Sequence, residues 1–258
     1  MHDRVEKIHF ALDLGFSDYC PRENVREITI TNKLDLVERA VSMMRIEEAI
    51  SFSLFERLGP QHPSPQIYAL DFPSDLRASM YLLLGGYYRQ AILCLRNWLE
   101  MRLLGIYFGF VERDETNYED WKLGKLGEEE APFGRKRLIA RLFARAEFQQ
   151  ADRLFGLRKS LVHLYGQLSS LTHGAGLEKQ DLQADTDNVP RYNSRSVDMW
   201  FALLCRAYAD IVFCLYTAYG DSIFPGLLSD ERSEMLSLLP PAYEGEVRSS
   251  LDRMAKRT

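Results

Sequence analysis

With 258 residues, 46% of them hydrophobic and 27% charged, the chain can bury a substantial core, which excludes a wholly disordered protein. A net charge of −5 excludes a surface built throughout for polyanions, while leaving room for one basic patch. Four cysteines (Cys20, Cys94, Cys205 and Cys214) without a Cys-x-x-Cys pair, and no signal peptide, predict reduced thiols, no zinc site and a cytoplasmic setting.

In chain order, residues 1–30 form an irregular N-terminal segment, in which Val25–Ile30 alternates as a short strand would, although a single strand has nothing to pair with. A helical bundle domain is expected over 31–220. Its first helix runs over 33–58 through Leu34, Val37, Val41, Met44, Ile50 and Leu54, and Gly59-Pro60 stops it. A proline-rich loop follows (Pro60, Pro63, Pro65, Pro73). Ser74 then opens one long helix over 75–110, which Gly85-Gly86 interrupts as either a bend or a close helix crossing. Residues 112–134 are polar and acidic and read as a loop, and a short basic helix spans 135–148.

The most regular segment is 151–173. Leu154, Leu157, Leu161, Leu164, Leu168 and Leu171 recur at spacings of three and four, the apolar stripe of a helix packed lengthwise. A polar loop reaches 193, and another buried helix spans 196–219. Short helices near 229–238 and 242–256 pack on the bundle as a C-terminal unit, 221–258. The helical runs at 78–110 and 197–220 carry internal charges (Arg89, Arg96, Glu100 and Arg102; Arg206 and Asp210). A membrane span needs roughly 18 or more residues nearly free of charge, so no membrane partner is expected. The fold class is therefore all-α, an antiparallel helical bundle.

No phosphate-binding loop, dinucleotide fingerprint, nucleophile elbow or zinc-protease motif occurs, and no cofactor or metal is expected. Chemistry is sought instead on helix 151–173. Opposite its leucines, at about 100° per residue, lie Lys159, His163, Gly166, Ser170 and His173, with Arg158 and Ser169 at the edge. Small residues and histidines there predict a second close contact, within the bundle or across a homodimer. His173 closes the helix beside Gly174, where a cation also suits the C-terminal dipole.

Arg158-Lys159-Ser160-Leu161-Val162-His163 resembles the Arg-x4–6-His signature of the HEPN-like helical-bundle superfamily, as do Tyr165, Leu168-Ser169 and Thr172-His173-Gly174 more loosely. Three such pairs occur here, Arg4–His9, Arg57–His62 and Arg158–His163, and only the last lies within one strong helix. Lys159 stands where that family commonly has Asn or Asp. The resemblance implies a dimeric, metal-independent endoribonuclease of a bacterial phage-defence or toxin–antitoxin system, in which Arg158 holds the phosphate and His163 moves the proton. RNA and an antitoxin protein are the partners it implies.

Supporting groups are Ser169, Ser170 and His173, together with Arg96, Asn97 and Glu100, one helical turn apart on helix 75–110. From Gly134 to Lys159 there are eight Lys or Arg, and Arg137, Arg141 and Arg145, with Lys159, form a basic stripe suited to a phosphate backbone. The alternative pairs this stripe with the acidic residues of 112–130. Two other functions fit the same fold: a non-catalytic module binding a protein or nucleic acid, and a regulator with a small-molecule cavity among the tyrosines.

Overall fold

The computed structural model describes residues 25–70, 74–112, 115–126, 135–172 and 191–255. His173, Cys20, the acidic run 128–130 and the first 24 residues lie outside these. Every regular element among the described residues is helical.

Val25–Asn32 is a helix, α1, not a strand. Its buried residues, Val25 and Thr29, are four apart, a helical repeat that the alternating pattern concealed. Helix α2 spans Leu34–Leu58 and buries Ala40, Met43, Ile46, Ile50 and Leu54 along one stripe. It stops at Gly59, whose φ of 85° suits glycine. The expected proline-rich loop contains a short helix, α3 (Pro63–Leu70). Pro63 stands at its first position, where the missing N–H costs nothing, and Ile67 and Tyr68 pin it to the core.

The single helix expected over 75–110 is a hairpin of two, α4 (Ser74–Leu84) and α5 (Tyr88–Ile106). Gly86, at φ 81°, reverses the chain instead of bending it. Ser79 Oγ closes the pair by donating to the Ala91 carbonyl (2.6 Å) and accepting from Trp200 Nε1 (2.9 Å). A π-helical turn, Tyr107–Val111, extends α5, and Glu112 N–H bonds back to the Tyr107 carbonyl at 2.8 Å. The expected loop 112–134 holds another helix, α6 (Glu115–Lys122), because Tyr118 and Trp121, three residues apart, dock together on Phe108.

The π turn lets Gly109 approach other elements closely. A Cβ there would collide with Ser64 Oγ, Tyr219 Oη and His62 Cε1. Gly109→Ala should cost about 1–3 kcal/mol in chemical denaturation, as overpacking does. An unchanged urea midpoint would show that this junction yields easily.

The basic segment divides into α7 (Arg135–Leu142) and α8 (Ala146–Phe155), and Gly156, at φ 66°, separates α8 from α9 (Leu157–Thr172). The leucine stripe is thereby corrected at its start. Leu157, Leu161, Leu164 and Leu168 are wholly buried on α9, whereas Leu154 belongs to α8 and is 63% exposed. Helix α10 (Ser194–Ile223) begins at Asn193, whose side chain accepts from Ser196 N–H. It is long and apolar enough to cross a membrane by length and composition alone, but 67% of that stretch is buried inside the bundle. Helices α5 and α10 form the centre, packed against α2, α3, α4 and α9. Helices α11 (Ser229–Leu238) and α12 (Pro241–Ala255) lie against α2 and α10 respectively.

Candidate active site

Helix α9 carries different chemistry on its two polar edges. Lys159, His163, Gly166 and Ser170, at spacings of four, three and four, line an open groove of about 920 Å³ beside α10. Among the described residues, nothing covers the face assigned to a second close contact. His163 and Lys159 are both exposed. Arg206, from α10, lines the groove as well, and among the described residues no carboxylate does.

Arg206 is held in place. Its Nε donates to Ser160 Oγ (3.2 Å), Nη2 to the Ser160 carbonyl (3.2 Å) and Nη1 to Gln167 Oε1 (3.3 Å). Ser160 Oγ in turn donates to Asp210 Oδ2 (2.7 Å), and Tyr243 Oη of α12 donates to Asp210 Oδ1 (3.1 Å). A guanidinium fixed by three acceptors is preorganised to receive an anion at its remaining edge.

Asp210 is only 2% exposed. Burial raises its pKa to about 6, against the opposing pull of the Ser160 and Tyr243 hydrogen bonds and of Arg206. Since the folded chain holds this proton more tightly than the unfolded chain, Asp210 favours folding at low pH. That contribution is withdrawn as pH rises from the ordinary carboxylate range through about 6. Asp210→Asn should therefore become progressively more stable relative to wild type between pH 4 and pH 7. Urea midpoints that run parallel across that window would contradict it.

Arg158 does not line this groove. It is exposed in the first turn of α9, and its backbone N–H donates to Asp152 Oδ1 at 3.0 Å. Five residues on a helix place Arg158 and His163 about 140° apart, so the spacing does not bring them to one face. Arg206 shares the cleft with His163 instead. It was not singled out from sequence because some 40 residues separate it from His163, and only the packing of α10 on α9 brings them together.

Arg96 and Glu100 do form a network, but towards the opposite side of α9. Arg96 Nε donates to Glu100 Oε1 (2.9 Å), Nη2 to Tyr165 Oη (3.0 Å) and Nη1 to Thr172 Oγ1 (3.4 Å). Tyr165 Oη donates to Glu100, and its pKa is pushed up to about 12 by burial and by that carboxylate. Arg89 completes the clamp by donating twice to the Thr172 carbonyl (3.1 and 2.7 Å), where a cation meets the C-terminal dipole of α9. The network ties α5 to α9, while Asn97 is exposed. Ser169 accepts from Thr172 Oγ1 through its carbonyl (2.9 Å), and Ser170 Oγ donates to the Gln167 carbonyl (3.0 Å).

The basic stripe is interrupted. Helix α7 ends at Leu142, and Arg145 precedes α8. Arg141 donates to Tyr107 Oη (3.0 Å), which donates to Glu112 (3.0 Å), and Arg145 donates to the Phe110 carbonyl (3.4 Å). Both side chains brace the π turn, whereas Arg137 is exposed on α7.

Among the described residues no group of three or more His, Cys, Asp or Glu is arranged to hold a metal ion. No family model, curated protein or solved structure matches the chain.

Proposed function

We propose that the α9–α10 groove binds RNA and that His163 transfers a proton in metal-independent cleavage of the strand, in keeping with the HEPN-like resemblance. The observation carrying this reading is the company His163 keeps: an exposed imidazole that shares one groove with Lys159 and a fixed Arg206, where no carboxylate among the described residues is part of the lining. Cleavage through the ribose 2′-hydroxyl needs a group that takes or returns a proton near neutral pH, and cations for the charge that builds on phosphorus. Arg206 takes the phosphate-holding role that the sequence motif gave to Arg158. A second copy of the chain, apposed along the same face of α9, would bring two such imidazoles to one strand. The setting we assign is cytoplasmic defence or toxin–antitoxin action, with RNA as substrate.

A non-catalytic RNA-binding or protein-binding module is the second reading, favoured by the exposed position of Arg158 away from the groove. Incubation of a mixed RNA pool in EDTA separates the two. Cleavage that survives chelation and disappears in His163→Ala supports catalysis, whereas RNA left intact by wild type supports the module.

A further inference from the structure

We infer that the groove accepts single-stranded RNA with one base stacked on Phe155 and its phosphates along Lys159, Arg206 and His163. This rests on the RNA reading of the same groove and adds the element that orients the strand.

Phe155 ends α8, just before the break at Gly156, and it borders the groove directly. Its ring is braced from within. Phe213 and Tyr243 stack on each other (4.3 Å between centroids, 13° between planes), and Phe155 stands across both, at 4.9 Å and 73° from Phe213 and 5.9 Å and 85° from Tyr243. A ring at comparable distance from both members of a stack lies alongside that stack. It packs against both partners and remains partly exposed. A partly exposed aromatic beside a guanidinium is an arrangement on which single-stranded nucleic acids are held, because every base offers a π-face.

The electrostatics set the direction of the strand. Phe155 also borders a second hollow, of about 320 Å³, whose charged lining residues are Glu147, Asp221 and Glu246. The charge of the lining therefore changes across one aromatic ring, with Lys159 and Arg206 on one side and Glu147, Asp221 and Glu246, the last 3.9 Å from Arg253, on the other. A phosphate chain following the basic groove is repelled beyond Phe155. What reaches the ring is then the uncharged, planar part of the nucleotide. Lys159 and His163, four residues apart on α9, lie about 6 Å from each other along the helix axis, so successive phosphates can meet these two side chains in turn.

The test is fluorescence anisotropy in EDTA with a short, labelled 2′-O-methyl oligoadenosine, which binds as RNA but cannot be cut through its 2′ position. Inorganic polyphosphate is titrated in parallel as a ligand with charge and no base. Phe155→Leu keeps the apolar packing and removes the stacking surface. It should weaken the oligonucleotide about tenfold while leaving polyphosphate affinity unchanged, and Phe155→Trp should restore the lost affinity. Equal oligonucleotide affinity in wild type and Phe155→Leu would overturn the stacking role while the RNA reading stands. Equal loss of both ligands in Phe155→Leu would also overturn it, assigning the ring to structure alone. A wild-type protein that binds polyphosphate but not the oligonucleotide removes the RNA reading itself.

Discussion

Glu47→Ala will destabilise the protein by about 3–5 kcal/mol, the cost expected when one member of a buried ion pair is removed. Glu47 on α2 and Arg102 on α5 are ion-paired in the centre of the bundle, with side chains only 5% and 2% exposed. The Arg102 guanidinium also lies 4.1 Å from the centre of the Tyr68 ring. The buried side chains of Trp98 and Tyr208 belong to the same core. Removing the carboxylate deprives a buried cation of its counter-charge in a region of low dielectric constant. The same deletion eliminates a negative charge that, after burial, helps to raise the Tyr68 pKa. Urea or calorimetric unfolding measures the loss. The paired replacement Glu47→Leu with Arg102→Met should recover most of it, because neither charge then has to be desolvated. If Glu47→Ala stays within about 1 kcal/mol of wild type, solvent reaches the pair and the argument fails.

The larger kinetic effect concerns His163. In the ribonuclease reading, His163→Ala lowers RNA cleavage about 10²–10⁴-fold in EDTA, the range that a positioned proton-transfer group supplies. Arg206→Ala should reduce kcat/KM more than Arg158→Ala does. Only Arg206 lines the groove with His163 and is held by Ser160 and Gln167. The opposite order, with Arg158→Ala the more damaging, would restore the assignment made from the sequence motif and place the reacting phosphate elsewhere on α9. His163→Ala should barely move the unfolding midpoint, because that side chain is exposed and outside the core.

The all-helical class was legible because local pattern carries it. Leu157, Leu161, Leu164 and Leu168 announce a buried helix face by spacing alone. The alternation at Val25–Ile30, which fits a strand, belongs to a helix for a physical reason: six alternating residues also contain an i, i+4 pair, and Val25 and Thr29 use that pair against the bundle. Gly85-Gly86 was recognised as an interruption, but its severity depends on the φ of Gly86 and on whether Ser79 can reach Ala91. The helix at Glu115–Lys122 was hidden by its charge, since Tyr118 and Trp121 form an apolar face only where Phe108 is present to receive it.

For the site, the polar face of α9, with Lys159, His163, Gly166 and Ser170, followed from a helical period and needed no partner to be seen. What covers or completes that face is a matter of three dimensions. Arg206 on α10, held through Ser160 above the buried Asp210, reaches the groove across some 40 residues of chain, while Phe155 is set at its border by the break between α8 and α9 at Gly156. Arg141 and Arg145 were similarly drawn into bracing the π turn by contacts with Tyr107 and Phe110. Periodicity and composition, properties of neighbouring residues, determined which segments are helices and which faces are apolar. The partners of each charged group were decided only by tertiary structure, because a long cationic side chain on a helix can serve a phosphate, a carbonyl or a buried carboxylate, and the neighbouring helix selects which.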